Sequence, residues 1–234
     1  MKALCFTFDR NMPIMEYVLH TYFKCWPDNP FVFYIPWNNI QPEHLIKQYG
    51  ADKIKLLKTG SAVKPTIRTL LSVVNKNEFV WWAQDDKYIL DFKNKQMIKD
   101  LYSFDSESIG GFMFTKNADA HKSFLKTKHN FGAYELVKKR NHHQIFQPQC
   151  IKKEVIEFLY LNNRLPEHYP LLELYPIMGF KPIKDLYSVQ QNYINIAESL
   201  DQGKLTSNLV YHMNEDNFKI PDLPRCNKTM IYKD

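Results

Sequence analysis

Two adjacent carboxylates, Asp85 and Asp86, follow an apolar run, Phe79-Val80-Trp81-Trp82-Ala83, with Gln84 between. Such a run reads as a strand buried on both faces, and open α/β sheets bind ligands beyond the carboxyl ends of their strands. Paired acids there suit a hard divalent cation, Mn²⁺ or Mg²⁺, which takes oxygen ligands and bridges diphosphate oxygens. A solvated polar turn is the alternative use of the same residues. Asp9 and Arg10 hold the equivalent place after a first apolar run, Ala3 to Phe8, so the same rule puts them on the same edge. There Arg10 meets a diphosphate and Asp9 a base or ribose, while a favourable helix N-terminal charge is the competing role of Asp9. The loop Thr59-Gly60-Ser61-Ala62-Val63-Lys64-Pro65-Thr66 brings hydroxyls, Lys64 and a helix N-terminus to that edge, and Arg68 follows on the helix. Its spacing is not that of a P-loop.

Alternating strand-like and helix-like patterns position these residues. After the first strand, Asn11 can cap a helix with Pro13 near its first turn. Ile14, Met15, Val18, Leu19, Tyr22, Phe23 and Trp26 then recur at helical intervals and form one wide apolar stripe. Phe31 to Ile35 and Lys53 to Leu57 read as strands, and Pro42 to Tyr49 as a helix closed by Gly50. Pro65 to Val74 repeats the helical period before the run at Phe79 to Ala83. The alternation predicts an α/β fold with a mostly parallel central sheet flanked by helices, because parallel strands need crossover connections. Further on, Phe92 to Leu101 and Lys152 to Tyr160 look helical, Ile109 to Phe114 strand-like, and Leu209 to Tyr211 a late strand. The segment from Pro221 onward reads as a loosely held tail.

One more acid stands out. Glu173 lies in Pro170-Leu171-Leu172-Glu173-Leu174-Tyr175, where apolar neighbours would raise its pKa and suit it as a general base. A buried structural pairing with Lys or Arg is the alternative.

Taken together, Cys5-Phe6-Thr7-Phe8-Asp9-Arg10 and the segment from Phe79 to Tyr88 resemble the GT-A-fold glycosyltransferases that use nucleotide-sugars. The resemblance covers about residues 3 to 90. In that family a short acidic motif after a central strand binds a divalent cation and the donor. It implies a single domain, with residues 1 to 90 binding the nucleotide-sugar, 91 to 220 serving the acceptor side, and 221 to 234 as the tail. It implies Asp86 as metal ligand and Asp85 as a contact to ribose or sugar hydroxyls. Val210-Tyr211-His212 resembles the late histidine that completes the cation site, and Phe146-Gln147-Pro148-Gln149 the stretch lining the acceptor side. A surface or core-capping histidine is the other use of His212. The chain departs from the motif at Gln84, which stands where the first acid belongs and puts metal dependence in question. The expected activity is transfer of a sugar to a hydroxyl of a glycan or other acceptor, with Glu173 as base. A catalytically silent nucleotide- or glycan-binding relative is the alternative that Gln84 supports. A sugar-phosphate nucleotidyltransferase is a weaker one, since no glycine stands in the loop after the first strand.

The composition agrees with a globular protein, with 44% hydrophobic and 24% charged residues among 234. A net charge of +6 suits anionic ligands, but no run of five basic residues argues for nucleic acid. Lys138, Lys139, Arg140, His142 and His143 form the densest basic cluster and read as a solvated surface. Four scattered cysteines without a CxxC pair point to a reducing, cytoplasmic setting. No apolar run approaches the ~18 residues of a transmembrane helix.

Overall fold

The computed structural model describes residues 1–104, 106–116, 124–139, 147–161 and 183–233. Its first half runs β1 (Lys2–Phe6), α1 (Met12–Cys25), β2 (Val32–Trp37), α2 (Glu43–Tyr49), β3 (Ile54–Lys58), α3 (Val63–Ser72) and β4 (Phe79–Gln84). Then come β5 (Lys87–Phe92), α4 (Lys95–Tyr102), β6 (Ile109–Met113), β7 (Phe124–Phe131), β8 (Tyr134–Lys139), β9 (Gln149–Lys152) and α5 (Lys153–Tyr160). The last part holds β10 (Asp185–Ser188), β11 (Ile194–Glu198), β12 (Leu200–Asp201), β13 (Lys204–Leu205), α6 (Ser207–Glu215) and β14 (Ile231–Tyr232).

A nine-stranded sheet in the order β3-β2-β1-β4-β9-β6-β10-β8-β7 forms the centre. The pairs β2/β3, β1/β2, β1/β4 and β6/β10 are parallel, whereas β9 runs antiparallel between β4 and β6. Successive side chains of a strand point to opposite faces, and here both faces are covered. Ala3, Cys5, Phe79, Trp81 and Ala83 enter one core with α1 and α4. Leu4, Val80 and Trp82 enter the other, against α3 and α5. The expected α/β architecture with a mostly parallel, helix-flanked sheet is therefore present.

The apolar stripe of α1 is buried at Ile14, Met15, Val18, Leu19 and Tyr22, as its period requires. The Tyr22 hydroxyl accepts a 2.7 Å hydrogen bond from the indole of Trp81, which is 0% exposed. Truncating such a side chain to Ala typically costs about 3–5 kcal/mol. At the crossing of β6 with β9, a Cβ on Gly111 would come within 2.7 Å of the Cys150 carbonyl oxygen, so only glycine lets the backbones approach there.

Three expectations change. Phe92 begins no helix: it ends β5, and α4 starts only at Lys95, capped by the Asn94 side chain accepting from the Met97 amide at 2.9 Å. Gln149, from the stretch expected to line the acceptor side, lies in β9 in mid-sheet, paired to Trp82 and to Met113. Leu209 to Tyr211 lies in α6, not in a strand, because Thr206 caps that helix through the Leu209 amide. The C-terminal segment is tied down rather than loose. Cys226 donates its amide to Leu205, Ser207 to Lys228, and β14 pairs with β11, itself paired with β5 in a second, three-stranded sheet. Among the described residues, no helix is long and apolar enough to cross a membrane.

Candidate functional site

The parallel neighbours β1 and β4 are in register, with Phe6 opposite Gln84, so the residues after each strand emerge side by side. Thr7 follows β1 and donates its hydroxyl to Asp85 Oδ2 at 2.7 Å. Asp85 is buried, and burial pushes its carboxyl up to about 7; Thr7 and Asn11 pull it back, while Asp86 beside it adds to the rise. The Ser199 amide donates to the Asp86 carbonyl at 2.8 Å and its hydroxyl to that of Asp85, which fixes the acidic pair against the end of β11.

Asp86 presents two unlike oxygens. Oδ2 lies 3.0 Å from the Lys87 ammonium, whereas Oδ1 is buried and has no hydrogen-bond partner. Burial raises the Asp86 pKa and the Lys87 charge opposes this. Lys87 is 5% exposed and lies 3.3 Å from Glu198, whose Oε1 also accepts from the Tyr232 hydroxyl at 2.7 Å. Burial alone would depress the Lys87 pKa, but the two carboxylates outweigh it and the ammonium is held above its ordinary range.

Asp9 stands on the expected edge in a short 3-10 turn before α1, yet its carboxylate faces the loop after β2. It accepts backbone N–H bonds from Asn38 at 2.8 Å, Asn39 at 2.6 Å and Ile40 at 3.3 Å. Burial pushes its pKa up, but these donors bring it below the usual carboxylate range. Asn38 in turn donates its side-chain amide to the carbonyls of Thr59 at 3.1 Å and Gly60 at 2.6 Å. Asp9 thus ties together the loops after β1, β2 and β3. Thr66 closes the third loop, its hydroxyl 2.9 Å from the Ala62 carbonyl. Arg10 is exposed and lines a hollow of about 430 Å³ with Pro13, Phe218 and Ile220. Lys64 is half-buried in the first turn of α3, and Arg68 is exposed further along that helix.

His212 lies on α6, with Nδ1 2.6 Å from the Tyr88 hydroxyl. That hydroxyl also accepts from Asn208 at 2.9 Å, and the ring tautomer sets which of hydroxyl and Nδ1 donates to the other. Burial lowers the His212 pKa, in keeping with a neutral ring. The residue lines a separate hollow of about 200 Å³ with Tyr17, Lys24 and Asp216. The expected pairing of Asp86 with His212 around Mn²⁺ or Mg²⁺ meets two facts. Oδ2 of Asp86 already holds an ammonium, and among the described residues no group of three or more His, Cys, Asp or Glu side chains is arranged for a metal ion.

No protein-family model matches the chain, and no curated protein does. Among solved structures it is similar to the galactosyltransferase LgtC in complex with donor and acceptor sugar analogs, at 12% identity over 97% of this chain and 87% of that one, TM-score 0.42. It is also similar to an active-site mutant of LgtC, at 10% identity over 66% of this chain and 58% of that one, TM-score 0.38. A third is the glycosyltransferase GlyE of Streptococcus pneumoniae, at 10% identity over 81% of this chain, TM-score 0.43; the chain spans 45% of that protein's length. Likenesses this distant bear on no residue of the site.

Of the residues singled out in the sequence, Asp9, Asp85 and Asp86 follow adjacent parallel strands at one edge of the sheet, Arg10 lines a hollow with the C-terminal segment, Lys64 and Arg68 lie on α3, and His212 sits in its own hollow. Glu173 and Phe146 lie outside the described residues. Thr7, Lys87, Glu198 and Ser199 were not foreseen. The one local signal was a lysine directly after paired acids, at the start of a strand that proves to be buried.

Proposed function

We propose that the protein is a glycosyltransferase that seats a nucleotide-sugar on the rim formed by the loops after β1 to β4 and passes the sugar to a hydroxyl of a glycan or other acceptor. One juxtaposition carries this reading. Asp85, held near neutrality, and Asp86, with an orphaned oxygen, leave β4 beside Thr7 at the place where α/β sheets take ligands. A buried carboxylate oxygen without a donor is costly, and ribose or sugar hydroxyls are donors that would satisfy it. Arg10, after β1, and Lys64 and Arg68, on α3, are the proposed source of positive charge for a diphosphate. Glu173 remains the proposed base for the acceptor hydroxyl.

The test is a thermal-shift panel of nucleotide-sugars, followed by an assay for released nucleoside diphosphate. A ligand at 100 times its Kd raises stability by about 2.7 kcal/mol. No shift with any donor, and no release, discards the proposal. A second reading, a catalytically silent nucleotide-binding relative, is favoured by Gln84. Its amide donates to the Tyr160 hydroxyl at 3.3 Å inside the core, and it brings the rim no third carboxylate. Binding without release selects that reading.

A further inference from the structure

We infer that Lys87 occupies the place at Asp86 that a divalent cation would otherwise take, so that this rim works without one. The placement of the ammonium is built into the fold. Lys87 opens β5 and lies directly opposite Glu198 in the register of β5 with β11, and Glu198 is held from the far side by Tyr232 of β14. Three strands therefore converge to keep one ammonium against two carboxylates, 3.0 Å from Asp86 and 3.3 Å from Glu198. The side chain is 6% exposed, so it does not swing into solvent to make room.

A metal ion binding Asp86 Oδ2 would stand within a few ångströms of this ammonium and be repelled in a poorly screened setting. Displacing the ammonium would leave Lys87 buried with half its compensation, which is unfavourable for a buried charge. Asp86 Oδ1 is buried without a hydrogen-bond donor, and a neutral hydroxyl satisfying it would bring no charge into conflict with Lys87. Gln84 has the same sense: a neutral amide stands where a further acid would help to draw a cation in.

The inference rests on the glycosyltransferase reading only for its nucleotide arm, and the experiment separates the two. Mn²⁺ uptake is measured by the loss of the free-ion electron paramagnetic resonance signal on the full chain, for wild type, Asp86→Ala, Lys87→Ala, Lys87→Met, Lys87→Arg and Lys87→Ala with Asp86→Ala. The expected result is no uptake by wild type or Lys87→Arg, and binding at least ~10-fold tighter in Lys87→Ala that disappears when Asp86 is also removed. Lys87→Met, which keeps most of the side-chain volume, carries the test if circular dichroism shows that Lys87→Ala has not folded. In parallel, thermal shifts with nucleoside diphosphates are expected to be equal in EDTA and in Mn²⁺. Uptake of Mn²⁺ by wild type that Asp86→Ala abolishes overturns the inference. So does a folded, uncharged Lys87 variant that gains no Mn²⁺, or a nucleotide shift lost in EDTA. If no nucleotide binds under either condition, the functional proposal fails while the Mn²⁺ arm still decides the role of Lys87.

Discussion

Replacing Asp9 by Ala removes the carboxylate that accepts from three backbone amides of the loop after β2. Three backbone amides lose their partner, at 2.8, 2.6 and 3.3 Å, and a hydrogen bond to a charged group contributes about 1.5–3 kcal/mol. The sum overstates the effect, because Asn39 and Ile40 are exposed and their amides regain water. About 2 kcal/mol is a fair expectation, or roughly 4–8 °C in Tm for a chain of this size. The pH dependence identifies the cause. Asp9 has its folded pKa below its unfolded one, so its contribution is complete above about pH 3.9 and is lost as pH falls through the folded value. Melting curves of wild type and Asp9→Ala should differ at pH 7 and draw together as pH falls below the usual carboxylate range, with Asp9→Asn in between. Equal melting at pH 7, or a gap that persists unchanged into acid, would refute the role given to Asp9.

Two further substitutions separate the acidic pair. Asp86→Ala should lower sugar transfer by ~100-fold or more while far-UV circular dichroism stays that of wild type, since Lys87 keeps Glu198; full transfer by this variant contradicts the proposed site. Asp85→Asn should behave oppositely in stability. Because the folded pKa of Asp85 is raised to about 7, wild type loses stability as pH climbs from about 4 to 7, and the Asn variant is spared this loss. A gain on the order of 2–4 kcal/mol at pH 8, vanishing near pH 4, is expected from chemical denaturation at each pH; parallel profiles would count against the burial argument.

The parts of the fold with strong local periodicity were readable from the chain alone. The stripe of α1 and the run Phe79 to Ala83 declare a helix and a doubly buried strand through their own residues, and adjacent parallel strands then place Asp9 and Asp86 on one edge. Elements defined by distant partners were not readable. β5 is a strand because it pairs with β11 far along the chain, and the four residues of β9 become a strand only between β4 and β6. The helix at Leu209 was signalled by the cap at Thr206, but a short apolar run fits either period and the strand was preferred. Of the site, the position of the acids was legible and their partners were not. Nothing adjacent to Asp9 announces the amides of residues 38–40, and nothing near Lys87 announces Glu198.

The pairing of β14 with β11, and of β11 with β5, has a bearing on the order of events during synthesis. Glu198 emerges long after Lys87, and Tyr232 later still, so a nascent chain carries a lone ammonium next to Asp86 until its distal end arrives. Domains fold as units as they leave the ribosome, and an unpaired strand edge is a hazard in the interval. β14 is thus a clasp on Glu198, and a chain clipped before Ile231 would keep its helices and main sheet while losing the Tyr232 hydroxyl that holds Glu198 beside Lys87.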